Sequence, residues 1–148
     1  MKYLQLIRYQ NLLMLALMQL VFRYGFLNQQ DCFLALADWQ YLLLVLSTVL
    51  IAAAGYVIND IFDQETDSIN RPSAQIVGKL ITESKAYNIY VALNILGVSI
   101  GFYLSNVIEK PSFATIFIFI AACLYFYATT LKKVLLLGNL MVAFILAL

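Results

Sequence analysis

The sequence contains no histidine, only two cysteines and two prolines, and few charged residues. The absence of histidine excludes His-based zinc sites, Ser-His catalytic triads and haem ligation by His. Cys32 and Cys123 are far apart and form no CxxC pair, so neither a disulfide framework nor a metal knuckle is expected. Charged residues make up 11% of the chain, against roughly a quarter in an ordinary soluble domain. Nine basic and eight acidic residues nearly cancel, so nucleic acid is not expected as a partner.

Hydrophobic residues are abundant, at 64% of 148 residues with a mean hydropathy of +0.88. A spanning helix needs about 20 apolar residues, and helices satisfy every backbone donor and acceptor within the segment. Strand alternation is absent, which disfavours a barrel. We therefore predict an all-α, polytopic transmembrane helical bundle with four full spans and a fifth truncated span. The apolar runs cover residues 6–27, 39–59, 86–105, 113–130 and 134–148.

The first and the fifth apolar runs lie at the two ends of the chain. Lys2 and Arg8 followed by an apolar run resemble a signal peptide, with residues 35–37 as a cleavage site. The run is too long for a signal peptide and is separated from that site by four polar residues, so we predict a retained helix. The fifth run is short and has no polar residue after it. We therefore expect residues 1–148 to be the N-terminal portion of one transmembrane domain, with a C-terminal half missing.

Basic residues predict the orientation in the membrane. They collect at the amino terminus, in the 60–85 connection and after the fourth run, whereas the 28–38 connection has none and the loop after the third run has Lys110 beside Glu109. The positive-inside rule places the three basic segments in the cytoplasm, with the protein in the cell (inner) membrane. Trp39, Tyr41 and Tyr103 are expected to be interfacial anchors. Arg23, near the outer end of the first span, is expected to extend its charge to the interface.

Half of the eight acidic residues lie between positions 60 and 67, at the end of the second apolar run. If the helix continues to about Pro72, Asn59, Asp63 and Asp67 share one face, together with Asp60. Acidic residues at these spacings repel one another, and a divalent cation would remove that repulsion. Carboxylate and amide oxygens favour a hard ion such as Mg²⁺. A solvated acidic helix end is the alternative interpretation.

This segment resembles the UbiA family of intramembrane prenyltransferases. Residues 59–67 read NDIFDQETD and match the family motif NDxxDxxxD at every specified position, and residues 70–72 read NRP. Arg8 and Asn11 resemble the R-x-x-N that opens the first helix in many members. Tyr9 stands where the family frequently has proline.

A second region of similarity follows the fourth run. Tyr127 and Lys132, followed by LGN at residues 137–139, resemble the Y…LK…LGN segment of the family, with four residues between the tyrosine and the lysine. The resemblance covers essentially the whole chain. It implies part of a fold of about nine transmembrane helices around a cavity, in which two aspartate motifs hold Mg²⁺ and a polyprenyl diphosphate. This chain contains the first motif and ends before the second, DxxxD.

The resemblance also implies roles for individual residues. Asn59, Asp63 and Asp67 would be catalytic and hold the metal and diphosphate, with Asp60 supporting them as a metal ligand. Arg71, Lys132, Arg8 and Tyr127 would contact the diphosphate. Alternatives remain for three of these, because Lys132 with Lys133 also fits the positive-inside pattern, Arg8 also fits snorkelling, and Tyr127 also fits an interfacial aromatic. Rings that would stabilise an allylic cation are Tyr56, Phe62 and Tyr127.

The expected reaction is Mg²⁺-dependent transfer of a polyprenyl group from its diphosphate to a lipid-like acceptor. The overall residue pattern of segments 12–27 and 135–142 most resembles that of the family members that alkylate geranylgeranylglyceryl phosphate in ether-lipid synthesis. An aromatic acceptor of quinone biosynthesis is the alternative within the family, and the porphyrin-directed branches fit less well. From other classes, half of a membrane transporter and a non-catalytic membrane scaffold remain possible. A second DxxxD motif downstream would discriminate the enzyme from both.

Overall fold

The computed structural model describes residues 2–30, 34–73 and 75–133, and within these ranges the chain is helical with no strand. This confirms the predicted all-α class. The predicted fifth span, the LGN segment and Cys32 lie outside the described residues. The helices are α1 (Lys2–Leu6), α2 (Tyr9–Val21), α3 (Asp38–Phe62), α4 (Gln64–Asn70), α5 (Glu83–Val107) and α6 (Ala114–Thr129). Short helical turns cover Phe22–Phe26 (π type) and Leu27–Gln29, Pro111–Phe113 and Leu131–Lys133 (3₁₀ type).

Three of the four predicted full spans are single helical segments long and apolar enough to cross a membrane: Asp38–Phe62, Glu83–Val107 and Pro111–Thr129. Among them α3 is central, since it packs on α2, α5 and α6 and has 44% of its most apolar window buried, against 22% and 17% for the other two.

The first predicted span is helical but interrupted. Between α1 and α2 the backbone of Arg8 is left-handed, with φ 51° and ψ 55°. Further along, α2 gives way to the π turn. A left-handed backbone costs roughly 1–2 kcal/mol at a non-glycine residue. Arg8 therefore marks a bend that the apolar periodicity of residues 6–27 does not reveal.

Close packing of α5 against its neighbours depends on two glycines four residues apart. The Ser47 hydroxyl of α3 donates a hydrogen bond of 2.7 Å to the Gly97 carbonyl oxygen. A Cβ added to Gly97 would lie 2.7 Å from Ile51 Cγ1, and one added to Gly101 would overlap the ring of Phe117 in α6. Small residues at this spacing allow membrane helices to approach closely.

Substitution of Gly101 by alanine is therefore expected to destabilise the bundle. The added methyl group must displace an aromatic ring, and overpacking of this kind costs roughly 1–3 kcal/mol. Thermal unfolding in detergent should show a midpoint several degrees lower for Gly101→Ala. Gly25→Ala is the matched control, because its Cβ would meet only Val21 Cγ1 at 3.7 Å. Equal midpoints for the two variants would refute the close approach.

Arg23 and Tyr41, both expected near the membrane interface, are buried among neighbouring protein groups. Arg23 is 5% exposed. Its Nη2 donates to the Leu36 carbonyl oxygen at 2.7 Å and to Asp38 Oδ1 at 3.2 Å, and its guanidinium carbon lies 4.9 Å from the centre of the Tyr41 ring. Tyr41 is also buried and donates its hydroxyl to the Gln19 carbonyl oxygen at 2.7 Å.

At the opposite end of the bundle a buried apolar cluster fixes the elements that carry the acidic motif. It joins α1, the end of α3, the connection between α4 and α5, α5 itself and the end of α6. Gly78, with φ 86°, makes the tight turn between the two buried residues of that connection. The amino terminus, the acidic motif and residues 131–133 are therefore held at one end. The cluster consists of Leu6, Val57, Ile58, Ile61, Val77, Ile81, Ala86 and Ala128.

Candidate active site

The acidic motif keeps its helical spacing although the helix is not continuous. α3 ends at Phe62, Asp63 has φ −92° and ψ 0°, and α4 starts at Gln64. Three successive backbone amide-to-carbonyl hydrogen bonds nevertheless join residues four apart, from 63 to 59 (2.9 Å), 67 to 63 (2.7 Å) and 71 to 67 (2.9 Å). The helical stretch ends at Asn70, two residues before Pro72, close to the predicted end.

A cavity of about 350 Å³ lies beside this row of side chains. Three carboxylates and two guanidinium groups reach it, so it is lined by both signs of charge. Its volume is within the range of small-molecule sites, which begins at roughly 300 Å³. The described residues that line it are Gln5, Arg8, Asp60, Asp63, Asp67, Arg71 and Ile76.

Asp63 forms the best-connected group in the site. Lys132 Nζ donates to Asp63 Oδ1 at 2.6 Å and lies 3.4 Å from Asn59 Oδ1. Asn59 Nδ2 donates to the other Asp63 oxygen at 2.7 Å. The Lys132 and Asp63 side chains are 16% and 25% exposed, so their attraction is less screened than that of a surface pair. Lys132 is therefore bonded to the acidic motif in this structure.

Asp60 is paired with a different cation. Arg8 Nη2 lies 3.1 Å from Asp60 Oδ1, and the Asp60 side chain is only 13% exposed. The guanidinium carbon of Arg8 lies 5.1 Å from the centre of the Tyr56 ring, and Asn11 Nδ2 donates to the Tyr56 hydroxyl at 3.3 Å. Of the two interpretations of Arg8, the structure supports the one in which it faces the cavity.

Two of the four clustered acids are paired with cations in this structure. The sequence suggested that a divalent cation would remove the repulsion among the acids, and Arg8 and Lys132 pair with Asp60 and Asp63. Within residues 2–30, 34–73 and 75–133, no three acidic or cysteine side chains converge on one point suitable for a metal ion.

The donor chemistry still fits Mg²⁺ bound together with a phosphate-bearing ligand. Mg²⁺ usually takes one or two carboxylates and completes its octahedral shell with water and phosphate oxygens. Asp63 and Asp67 line the same cavity, which supplies that number of carboxylates. The side-chain oxygen of Asn59 lies 3.4 Å from the Lys132 ammonium that is paired with Asp63.

The three aromatic residues proposed to stabilise an allylic cation lie in different surroundings. Tyr56 is engaged with Arg8, as above, while Phe62 packs edge-on against Tyr125 with ring centres 6.2 Å apart. Tyr127 is half-buried in α6 and is not among the described residues that line the cavity.

Two lining residues, Ile76 and Gln5, were missed at the level of sequence. A lone glutamine before the apolar run carries no pattern that indicates a site. It also lines an adjoining cavity of about 530 Å³, together with Leu4, Arg8, Tyr9, Gln10 and Asn11.

Comparison with known proteins decides the family. The family model described as "UbiA prenyltransferase family" matches residues 12–148. This chain belongs to the UbiA prenyltransferase family. With three apolar helices of spanning length, this UbiA-family chain is an integral membrane protein.

Individual relatives narrow the comparison within the UbiA family. Digeranylgeranylglyceryl phosphate synthase of Saccharolobus solfataricus is 38% identical over 141 residues, which cover 95% of this chain and 46% of that protein. The enzyme of the same name from Methanosarcina barkeri is 32% identical over 153 residues, covering 97% and 50%. A structure solved in a study of digeranylgeranylglyceryl phosphate synthase in membranes has a TM-score of 0.80 and 28% identity, covering 97% of this chain and 48% of that one. The chain thus spans about half the length of the relatives it matches.

Proposed function

We propose that this protein transfers a polyprenyl group from its diphosphate to geranylgeranylglyceryl phosphate, in ether-lipid synthesis and with Mg²⁺. The observation that carries the proposal is the single cavity that brings Asp63 and Asp67 together with Arg8 and Arg71, with Lys132 bonded to Asp63. Carboxylates suit a hard metal, and guanidinium and ammonium groups suit phosphate oxygens. A diphosphate bound through a metal needs both.

The chemistry assigns a task to each charged group. The C–O bond of an allylic diphosphate breaks with its electron pair leaving on the diphosphate, and fixed positive charge at that position lowers the barrier. Arg8, Arg71 and Lys132 would receive this charge. Asn59, Asp63 and Asp67 would hold Mg²⁺, which when bound neutralises part of the diphosphate charge, and Asp60 would keep Arg8 in position.

The transfer is completed at the other end of the broken bond. A hydroxyl oxygen of the acceptor bonds to the allylic carbon and loses its proton to the departing diphosphate, which yields an ether and protonated free diphosphate. Water must be excluded from the cation, since it would otherwise capture it. The apolar surfaces of α2, α5 and α6 provide a surrounding in which an isoprenoid chain dissolves.

The choice of acceptor comes from the relatives. Those named above are called digeranylgeranylglyceryl phosphate synthases. This favours a lipid phosphate over an aromatic acceptor. The charged site end is proposed to face the cytoplasm at the cell membrane, since the basic segments meet there: Lys2 Nζ lies 3.3 Å from the Leu80 carbonyl oxygen and Lys132 contacts the acidic motif.

The proposal is tested with membranes that contain the full-length protein. Radiolabelled geranylgeranyl diphosphate is supplied with geranylgeranylglyceryl phosphate or with a hydroxybenzoate, each with and without Mg²⁺. We expect a labelled ether lipid only with the lipid phosphate and only with Mg²⁺. Labelled aromatic product would instead assign the quinone branch, and no product with either acceptor would contradict prenyl transfer.

A further inference from the structure

We infer that Tyr56 is a positioning residue, which holds the Arg8 guanidinium over the diphosphate cavity without occupying its hydrogen-bond donors. The inference rests on the proposed function, because it concerns how one of the phosphate-binding cations is kept in place. No sequence motif points to Tyr56 in this role.

Tyr56 contacts the first span at its bend and again at the start of α2. Its ring lies under the Arg8 guanidinium at 5.1 Å, and its hydroxyl accepts a hydrogen bond of 3.3 Å from Asn11 Nδ2. The backbone amide of Asn11 in turn donates to the Arg8 carbonyl oxygen at 2.9 Å. The three residues form a closed set of contacts between α3 and the start of α2.

Arg8 needs such support because little else restrains it. Its side chain is 46% exposed, and its one ion pair with the described residues is a single 3.1 Å contact to Asp60. Its backbone has a left-handed conformation, which this residue type rarely adopts without surrounding contacts. A long, half-exposed side chain would lose rotamer freedom on binding a phosphate, and this loss is smaller if the side chain is already held.

The Tyr56 ring supplies no carboxylate oxygen to the donors of Arg8. A cation over an aromatic ring is attracted to the ring face, whereas the guanidinium donates hydrogen bonds within its own plane. Tyr56 thus restrains the guanidinium from one side while the N–H groups stay free for Asp60 and for phosphate oxygens. A carboxylate partner alone would compete with phosphate for the same N–H groups.

The experiment is a double-mutant cycle on the full-length protein, measuring equilibrium binding of inorganic pyrophosphate in the presence of Mg²⁺. Tyr56→Leu should weaken binding roughly threefold to thirtyfold, the range expected for a cation–π contact. In an Arg8→Gln background the same change should weaken binding less than about twofold, because its effect passes through Arg8. Tyr56→Phe, which keeps the ring, should restore most of the binding.

Controls separate this role from general packing and from the proposed function. Tyr87→Leu, at a partly exposed tyrosine near the start of α5, should leave pyrophosphate binding unchanged, and thermal unfolding checks that each variant is folded. An equal loss from Tyr56→Leu in both backgrounds, or no loss at all, overturns the positioning role while prenyl transfer by the unsubstituted protein stands. Absence of both pyrophosphate binding and transfer in the unsubstituted protein overturns the proposed function itself.

Discussion

Asp63→Asn is expected to reduce Mg²⁺-dependent prenyl transfer by about a hundredfold to a thousandfold. Asp63 is the acid that contacts both Lys132, at 2.6 Å, and Asn59, at 2.7 Å, and it lines the cavity. Asparagine keeps the shape of the side chain but removes the charge that would hold the metal and position Lys132. Initial rates with labelled geranylgeranyl diphosphate, measured across a Mg²⁺ titration, give the size of the loss.

Glu65→Gln is the matched control for this prediction. Glu65 lies two residues further along, is exposed, and is not among the described residues that line the cavity, so removal of its charge should leave the rate within about twofold. Transfer by Asp63→Asn at the rate of the unsubstituted protein, with the same Mg²⁺ dependence, would remove Asp63 from the proposed chemistry.

Lys132→Met is expected to produce the second large loss, of about a hundredfold in kcat/KM for the prenyl diphosphate. Methionine keeps much of the length of the side chain but cannot receive the charge that develops on the leaving diphosphate. The change also leaves the Asp63 carboxylate with the Asn59 side chain as its one remaining hydrogen-bond partner among the described residues. Lys132→Arg keeps the charge and should retain much more activity than Lys132→Met.

Lys85→Met removes the same charge from an exposed position at the start of α5 and serves as the comparison. If Lys132→Met and Lys85→Met both leave kcat/KM near that of the unsubstituted protein, Lys132 contributes to topology rather than to chemistry. A large loss confined to position 132 supports the role in the site.

The sequence predicted the parts of this structure that depend on local pattern. Apolar runs of spanning length gave the all-α class, and the spacing of Asn59, Asp63 and Asp67 predicted a row that the backbone hydrogen bonds preserve. Family resemblance pointed to Arg8 and Lys132, and the structure brings both to the acidic motif. The predicted roles of these residues toward metal and diphosphate stay predictions.

The features that the sequence did not predict depend on tertiary contacts. Burial of Arg23 requires Asp38, the Leu36 carbonyl oxygen and the Tyr41 ring to meet in space, and no spacing along the chain encodes that meeting. The sequence pattern also gives no sign of the bend at Arg8. Apolar periodicity shows which residues are hydrophobic, but it does not show where the backbone adopts a left-handed conformation. Neutralisation of the acids by two distant cations was missed for the same reason.

The most direct test is a structure of the full-length protein with Mg²⁺ and an unreactive thio analogue of geranylgeranyl diphosphate. We expect a metal ion at about 2.1 Å from carboxylate oxygens of Asp63 or Asp67, with Arg8, Arg71 and Lys132 donating to the diphosphate. A diphosphate bound elsewhere, with Asp63 and Lys132 still paired and no metal beside them, would contradict the account.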